Sequence, residues 1–405
     1  MAGQPQLSFV NFAKGAYIII EGKQNADRFF IIRSGQVHIS KEVEVVKEEG
    51  GNILGPGDFF GVVSTMSSHS HIETAQALTD VTLIAVHKEQ YPQLIQNNKA
   101  VAMKIILQFS KRMRYLDEAL TRLTLKQNAE SDPSHLFNVG EYYEKHNQNT
   151  QAYYAYYQYV KYCPQGKEVN TVRDRMMKLA PYAKSVKMDF GPNDLTRAYP
   201  ASSMIFAEGE KGEELFIIQK GSVKISKIVN NEEVLLAVLK VGDIFGEMAL
   251  LEAKPRAACA AAYADCQVLA VNRANFEQMI ATQPQIIARL TTLLSERIWL
   301  IYKQLANTLL TEPLGRMYDA LLMQLEKDRV NLKITQSHSF DFGSKELVNM
   351  VGLSPADGAP LLWKILGNGK VQEINDKIFV TDVGEISIQA EYYRKMERLS
   401  RQEKK

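Results

Sequence analysis

The sequence predicts a multidomain protein of mixed α and β character. It should comprise two β jelly rolls with long closing helices, a helical hairpin between them, and a small mixed domain at the C-terminus. Three observations carry that prediction. A unit of roughly a hundred residues occurs twice. Each occurrence is a series of short Ile-, Val- and Phe-rich runs punctuated by Gly turns, the pattern of many short antiparallel strands. Each series is followed by a long segment of helical periodicity. The 405 residues leave room for about two to four domains.

The duplication is legible residue by residue. Residues 12–39 read FAKGAYIIIEGKQNADRFFIIRSGQVHI and residues 199–225 read YPASSMIFAEGEKGEELFIIQKGSVKI. Both carry an apolar run, a Glu-Gly pair (Glu21-Gly22, Glu208-Gly209) and a polar turn. A second apolar run (29–32, 215–218) and a Gly (Gly35, Gly221) follow. Downstream, GPGDFFG at 55–61 matches VGDIFGE at 241–247. The copies are expected at 1–128, including a heptad helix, and at 187–310, including a closing helix.

In the first copy Ala102, Ile106, Phe109, Met113, Leu116, Leu120 and Leu123 alternate spacings of four and three. That is a heptad seam, and it asks for a partner helix. In the second copy Ile287, Leu294, Ile298, Ile301 and Leu305 form a similar seam, interrupted by Thr291. Such seams are satisfied by packing within the chain or by a second chain. A uniform heptad favours two like helices, so a homodimer through either helix or both is expected.

Residues 129–186 are expected to form a helical linker. Leu136, Val139, Gly140, Tyr143, Ala152, Tyr156 and Pro164 fall on the tetratricopeptide pattern. Gly140 should let two helices approach, with Ala152 packed into the gap and Pro164 ending the second. The dense tyrosines (Tyr153, Tyr154, Tyr156, Tyr157, Tyr159) suit either a packed connector or a docking surface for a protein partner.

Composition excludes several classes. A chain that is 45% hydrophobic and 23% charged is not disordered, and a formal net charge of +2 does not suit a nucleic-acid coat. Three cysteines (Cys163, Cys259, Cys266) make no disulfide framework, and with seven histidines they show no zinc spacing, so no metal is expected. The N-terminus lacks a secretory pattern and no apolar run is long enough to span a membrane, so a cytoplasmic protein is expected. There is no nucleophile–base constellation and no P-loop; no catalytic residue and no enzyme are expected.

The stretch VGDIFGEMALLEAKPRAACAAA from Val241 resembles the phosphate-binding cassette of cyclic-nucleotide-binding domains, and the resemblance extends over the whole duplicated unit. It implies a cyclic nucleotide as regulatory ligand, held by Gly246, Glu247, Met248, Ala249, Arg256, Ala257 and Ala258. The residue types fit that chemistry. Gly246 lets the backbone approach a ribose, and Glu247 accepts from a ribose hydroxyl. The turn of helix at 248–251 faces the anion with N–H groups. Arg256 is a permanent forked cation for a phosphodiester, and small Ala257 and Ala258 leave backbone N–H groups within reach. The plainer alternative is a structural Glu247–Arg256 ion pair. In the family that the stretch resembles, a Thr after the arginine often accompanies cyclic GMP; Ala257 has no such hydroxyl, so the resemblance implies cyclic AMP over cyclic GMP. Counting along the closing helix reaches Ile301 and Tyr302, so Tyr302 or Trp299 is a candidate for stacking on the base; ordinary helix packing is an equal alternative.

The first copy departs from the cassette. Val62 takes the place of the glutamate, and His71, Ile72 and Glu73 lie where the arginine belongs. A solvated loop is expected there, in a structural or dimerising domain, with anion binding by protonated His69 and His71 as the alternative.

Residues 311–383, with SKELVNMVGLSPADGAPLLWKILGNGKVQEINDKIFVTD, resemble the winged helix-turn-helix of cyclic-AMP receptor regulators. Ser344 is expected to cap the first helix, whose Leu347 and Val351 are buried. Gly352 makes the turn, Ser354 caps the second helix with Pro355 at its first position, and 370–380 supplies wing strands. The likeness to such regulators runs from 187 to 381 and implies DNA as partner. The recognition positions 355–360 argue against sequence-specific contact, because they offer no donor to a base edge and Asp357 opposes phosphates. Gly358 weakens the helix and Pro360 removes a donor, costing about 3 kcal/mol in a helix interior. Lys364 and Lys370 are the nearest cations. The tail at 384–405 is expected to be a basic, solvated helix, with contact to nucleic acid or an acidic partner as the alternative. The function implied is a cyclic-nucleotide-responsive regulator whose closing helix (284–310) moves the C-terminal domain. The alternative is an adaptor acting through protein contacts.

Overall fold

The computed structural model describes residues 8–24, 26–41, 51–125, 134–183, 187–191, 194–229, 232–367 and 369–403. The chain forms two compact units, one built on His87–Ser295 and the other on Leu7–Val86 together with Glu296–Lys405. The expected boundaries at 128/129 and 186/187 involve residues outside the described set.

The first copy contributes β1 (Ser8–Phe12), β2 (Tyr17–Ile19), β3 (Arg28–Ser34), β4 (Val37–Ser40), β5 (Ile53–Leu54), β6 (Phe59–Phe60), α1 (Val62–Ser67), β7 (Thr74–Ala77) and β8 (Val81–His87). Helices α2 (Tyr91–Asn97) and α3 (Lys99–Leu125) follow, then α4 (His135–Lys145), α5 (Asn149–Tyr162) and α6 (Val169–Leu179). The second copy repeats the strands as β9 (Thr196–Tyr199), β10 (Met204–Phe206), β11 (Glu214–Lys220), β12 (Val223–Val229), β13 (Glu232–Leu239), β14 (Ile244–Phe245), α7 (Glu247–Glu252), β15 (Cys259–Ala262) and β16 (Cys266–Asn272). It closes with α8 (Arg273–Thr282) and α9 (Pro284–Thr308).

Each copy folds into two antiparallel four-stranded sheets. The first copy has the orders β1-β8-β3-β6 and β2-β7-β4-β5; the second has β9-β16-β11-β14 and β10-β15-β12-β13. The orders correspond strand for strand, as the duplication predicts. Matching turns use matching glycines. Gly35 and Gly221 have φ of +87° and +74°, and a side chain on either would strike the carbonyl of Asp80 or Asp265.

In the second copy the sheet containing β12 and β15 buries apolar residues on both faces, beside a polar cluster of Lys224, Ser226 and Glu233. Val223, Ile225, Ala260 and Ala262 point into the barrel. Met204, Ile228, Cys259 and Ala261 point outward and are covered by the helices α4–α6. The alternation is the period-two geometry of a strand, and the small residues of CAAA let helices lie close. The α4–α6 segment is thus a packed connector on this barrel. Tyr154, Tyr156 and Tyr159 are buried, which takes most of the expected docking tyrosines out of contention. The residue against Gly140 is Tyr156, not Ala152: a Cβ on Gly140 would run into the Tyr156 ring.

The long helices are not placed as their order in the chain suggests. Helix α3, which follows the first copy, packs on α7 of the second. The C-terminal half of α9, which follows the second copy, belongs to the unit that holds the first. The expected seam residues Ala102, Ile106, Phe109, Met113 and Leu116 are buried within the single chain, as are Ile287, Leu294, Ile298, Ile301 and Leu305. Leu120 is half-buried, and the Leu123 side chain lies outside the described set. A homodimer built on these seams would have to displace packing the chain already has. Thr291, which interrupts the second seam, shares a 3.1 Å hydrogen bond with the buried Tyr91 hydroxyl.

The C-terminal part comprises α10 (Pro313–Lys327), β17 (His338–Ser339), α11 (Ser344–Met350), α12 (Pro355–Leu366), β18 (Val371–Ile374), β19 (Lys377–Val380) and α13 (Val383–Glu403). Its three strands form the sheet β17-β19-β18. Three expectations change here. The cap of α11 is Gly343, whose N–H is held by Glu346 at 3.0 Å; Ser344 instead donates to Glu373. Helix α12 runs through Pro360. Gly358 is required by packing, since a Cβ there would meet Val348 at 2.5 Å. The segment after 383 is no solvated tail: Ile386 and Ala390 share the core of α10 and α11, and Arg394 pairs with Asp319 at 2.6 Å. Among the described residues no helix is long and apolar enough to cross a membrane.

Gly140→Ala tests the connector. The substitution ordinarily favours a helix by about 1 kcal/mol. Here the new methyl meets a ring whose hydroxyl is held by Glu144 at 2.6 Å and Arg175 at 2.7 Å. Overpacking costs about 1–3 kcal/mol, so the urea midpoint should fall rather than rise.

Candidate functional site

The second cassette is assembled by a sharp backbone turn. Gly246, in the left-handed conformation at φ +75°, caps α7. Its lack of a side chain is required: a Cβ would stand 2.7 Å from Arg256 Nη1 and 3.2 Å from the Phe206 ring. Gly212 is constrained in the same way, with a Cβ 2.7 Å from Arg256 Nε. Glu247 opens α7 and is buried, as are Met248 and Ala249; Ala257 and Ala258 are half-buried. The structure thus gathers all seven expected cassette residues around one turn of the second barrel.

Arg256 is the centre of the site. It is 6% exposed. Its Nη1 donates to the Gly246 carbonyl at 2.7 Å, and its guanidinium lies over the Phe206 ring at 4.2 Å. Its Nε is buried with no hydrogen-bond partner. The alternative of a Glu247–Arg256 ion pair predicts a carboxylate on this guanidinium, and none is seen there among the described residues. Burial pulls the guanidinium below its ordinary pKa, with Glu210 opposing that shift. A buried cation with an unused donor is costly alone and suits an anion that brings its own acceptors.

Glu210 lies behind this cation. Burial pushes its carboxyl up to about 7, against the Ala207 N–H, the Arg256 charge and the Tyr154 hydroxyl. Tyr154 comes from α5 and donates to Glu210 at 3.1 Å. The connector helices therefore reach the carboxyl behind the cassette arginine, a link that the sequence did not suggest.

The first cassette shows how the cradle is lost. His71 occupies the backbone place of Arg256. Its carbonyl accepts from Gly22 N at 2.8 Å and its N–H donates to Lys23 O at 2.9 Å, as Arg256 does with Gly209 and Glu210. His71, Ile72 and Glu73 are buried, which corrects the expectation of a solvated loop. Gly61 N donates to the Glu73 carboxylate at 3.0 Å. The chain thus places its own anion on the backbone that would face a ligand. His69 stacks on Trp299, centroids 4.0 Å apart, and Tyr302 donates to Glu21 at 3.4 Å. Trp299 and Tyr302 therefore lie against the first copy, in a different unit from Arg256. Helix packing, the alternative to base contact, describes both.

At the second cassette the helix in attendance is α3. Arg114 donates from Nε to Glu252 at 2.9 Å and from Nη1 to the Pro255 carbonyl at 3.2 Å. Ser110 donates to Glu252 at 2.8 Å. Sequence reasoning missed these residues. A signal was present: the spacing of 185 that carries Gly61 onto Gly246 also carries Arg114 onto Trp299, so each occupies the same place on the helix of its own copy.

The cyclic nucleotide-binding domain family matches the chain twice, at residues 9–98 and 196–283. The chain is 31% identical over 147 residues to the cAMP-activated global transcriptional regulator CRP of Salmonella typhimurium; the match covers 34% of this chain and 70% of that protein. It is 28% identical over 157 residues to the CRP-like cAMP-activated global transcriptional regulator of Mycobacterium tuberculosis, covering 38% of this chain and 70% of that protein. Among solved structures, the catabolite activator protein of Thermus thermophilus matches at 26% identity over 49% of this chain and 90% of that chain, with a TM-score of 0.27. The chain belongs to the family of CRP-like regulators and carries two cyclic nucleotide-binding domains.

The carboxyl of Glu210 makes stability depend on pH. Its folded value of about 7 exceeds the ordinary 4.5. The folded chain therefore keeps a proton that the unfolded chain releases. The resulting stabilisation is complete below pH 4.5 and is lost as pH rises to about 7. The loss is on the order of 3 kcal/mol. Urea midpoints at pH 4.5 to 8 should show that decline in the parent and not in Glu210→Gln.

Proposed function

We propose that the protein is a regulator responsive to one cyclic nucleotide per chain, cyclic AMP in preference to cyclic GMP, held in the second copy. The observation that carries the proposal is Arg256, buried with an unused Nε donor and, among the described residues, no carboxylate in ion-pair contact. A cyclic phosphodiester has one negative charge and two free oxygens, which suit a forked cation. Gly246 and the half-buried Ala257 and Ala258 leave backbone within reach of it. Glu247, buried at the head of α7, is the acceptor for the ribose hydroxyl. The lack of a hydroxyl at Ala257 and the names of the relatives, both cAMP-activated regulators, support cyclic AMP. The first copy has His71 at the place of Arg256, and its Glu73 already occupies Gly61 N; it serves as a structural domain.

The output is carried by α9. One end of this helix belongs to the unit of the second barrel and the other to the unit of the C-terminal domain. Ligand affinity that differs between two positions of α9 would bias that domain. DNA is the partner implied by the relatives' names. No metal and no catalytic step enter this reading, and it places the protein in the cytoplasm.

One observation favours an adaptor instead. On α12, where regulators read bases, Ala356, Ala359 and Pro360 are exposed, and Trp363 is 80% exposed. Exposed tryptophan is a residue of protein contacts rather than base edges. The half-buried Tyr153 and Tyr157 also line an open groove with Met176 and the exposed Met177, a second surface fit for a protein.

Calorimetric titration with cyclic AMP and cyclic GMP tests the ligand. The expected result is one site per chain, tighter for cyclic AMP, weakened at least about thirtyfold in Arg256→Ala. Unchanged binding in that variant, or two sites per chain, would overturn the proposal. Selection from a randomised duplex pool with cyclic AMP present decides the output: an enriched sequence means a DNA regulator, and none means the adaptor.

A further inference from the structure

The reading of the second cassette as a nucleotide site leaves open what holds its turn in place, and that question leads to the first copy. Between the end of α7 and Arg256 the chain must reverse within three residues. Ala253 does so in the left-handed conformation at φ 54°, and Ala253 and Lys254 are exposed. Such a turn has little packing of its own. Both of its ends are nevertheless gripped by one side chain. Arg114 bonds the Glu252 carboxylate on one side and the Pro255 carbonyl on the other, and Pro255 is the residue before Arg256. The side chains of Arg114 and Glu252 are 7% and 2% exposed. Ser110, one turn earlier on α3, donates to the other carboxylate oxygen.

We propose that Arg114 is the positioning residue of the second cassette. From the helix that follows the first copy, it clasps the turn that delivers Arg256, so that nucleotide affinity at the second copy depends on a residue of the first. This rests on the nucleotide reading above. The degenerate copy thereby gains a role without a ligand of its own, since it supplies the helix against which the working cassette is set. The first cassette is arranged differently at the equivalent place. Ser67 stands where Glu252 stands, spaced by 185, and offers no side-chain charge. The opposing residue is Trp299, which stacks on His69. The charged clasp thus belongs to the cassette that keeps its arginine.

A buried ion pair can also be mere helix packing, so the test separates affinity from stability. Removing Arg114 alone would leave the buried Glu252 carboxylate with Ser110 and the exposed Lys254, 3.7 Å away, as its remaining partners. The informative variant is therefore the neutral pair Arg114→Met/Glu252→Gln, beside Arg114→Met, Glu252→Gln and Arg114→Lys, all in the full-length protein. Cyclic AMP affinity is measured by calorimetry and stability by thermal melting. The expected result is a folded double variant with affinity lowered about tenfold. The losses of the two single variants should not add, because both act through one contact, and Arg114→Lys should recover part of the affinity. Amide exchange in the ligand-free double variant should quicken at 252–257 and not across the barrel. A folded double variant that binds within about twofold of the parent would overturn the proposal while leaving the nucleotide site standing. A parent chain that binds neither cyclic nucleotide would overturn the nucleotide reading and this inference with it.

Discussion

Each cassette turn in this chain is closed by the long helix that belongs to the other copy. The second turn meets α3 through Arg114 and Ser110; the first meets α9 through Trp299. This exchange explains why one chain keeps a copy that has lost its cradle. A jelly roll with a short closing turn has an apolar side that must be covered. A long amphipathic helix has a stripe that must be buried. The exchange meets both needs at once, although only the second cassette keeps its arginine.

The electrostatics of the two cassettes diverge from that common frame. The second buries a guanidinium whose hydrogen bonds are incomplete; the first buries a carboxylate on the backbone N–H of its turn glycine. One site is short of an anion and the other already contains one. The cost of an incompletely paired buried charge is large enough that such a site persists only with a compensating role. In the second barrel the neighbouring Glu210 has its carboxyl raised by the same burial, and Tyr154 of the connector satisfies it. The connector is therefore part of the site's support as well as the cover of the sheet.

The C-terminal domain has the helix pair and three-stranded sheet expected of it, and its α12 carries the donor-poor residues that the sequence reading noted. Its helix-turn-helix survives because Gly358 allows α12 to approach Val348 and because the Ser354 side chain caps the helix, accepting from Asp357 N. The solvent-exposed residues of α12 include Ala356, Asp357, Ala359, Pro360, Trp363 and Lys364, with Lys364 the one cationic donor among them. Fold and readout are separable, since the first depends on buried contacts and the second on exposed polar groups.

The two matching series of short strands and the glycines of their turns were determined by the sequence alone, because they depend on local conformation and on a pattern that repeats in both copies. So were the cassette residues from Gly246 to Ala258, whose spacing is set within one short segment. The burial of His71 and Glu73 was not legible, because polar residues in a loop read as solvated until a neighbour covers them. Nor was the place of Trp299, Tyr302 and Arg114. A heptad stripe specifies that one face of a helix is to be buried and says nothing about which surface buries it. That choice was made by tertiary structure, where two similar barrels offered similar surfaces and the fit of side chains distant in the chain decided between them; Arg114 and Glu252 are separated by 138 positions.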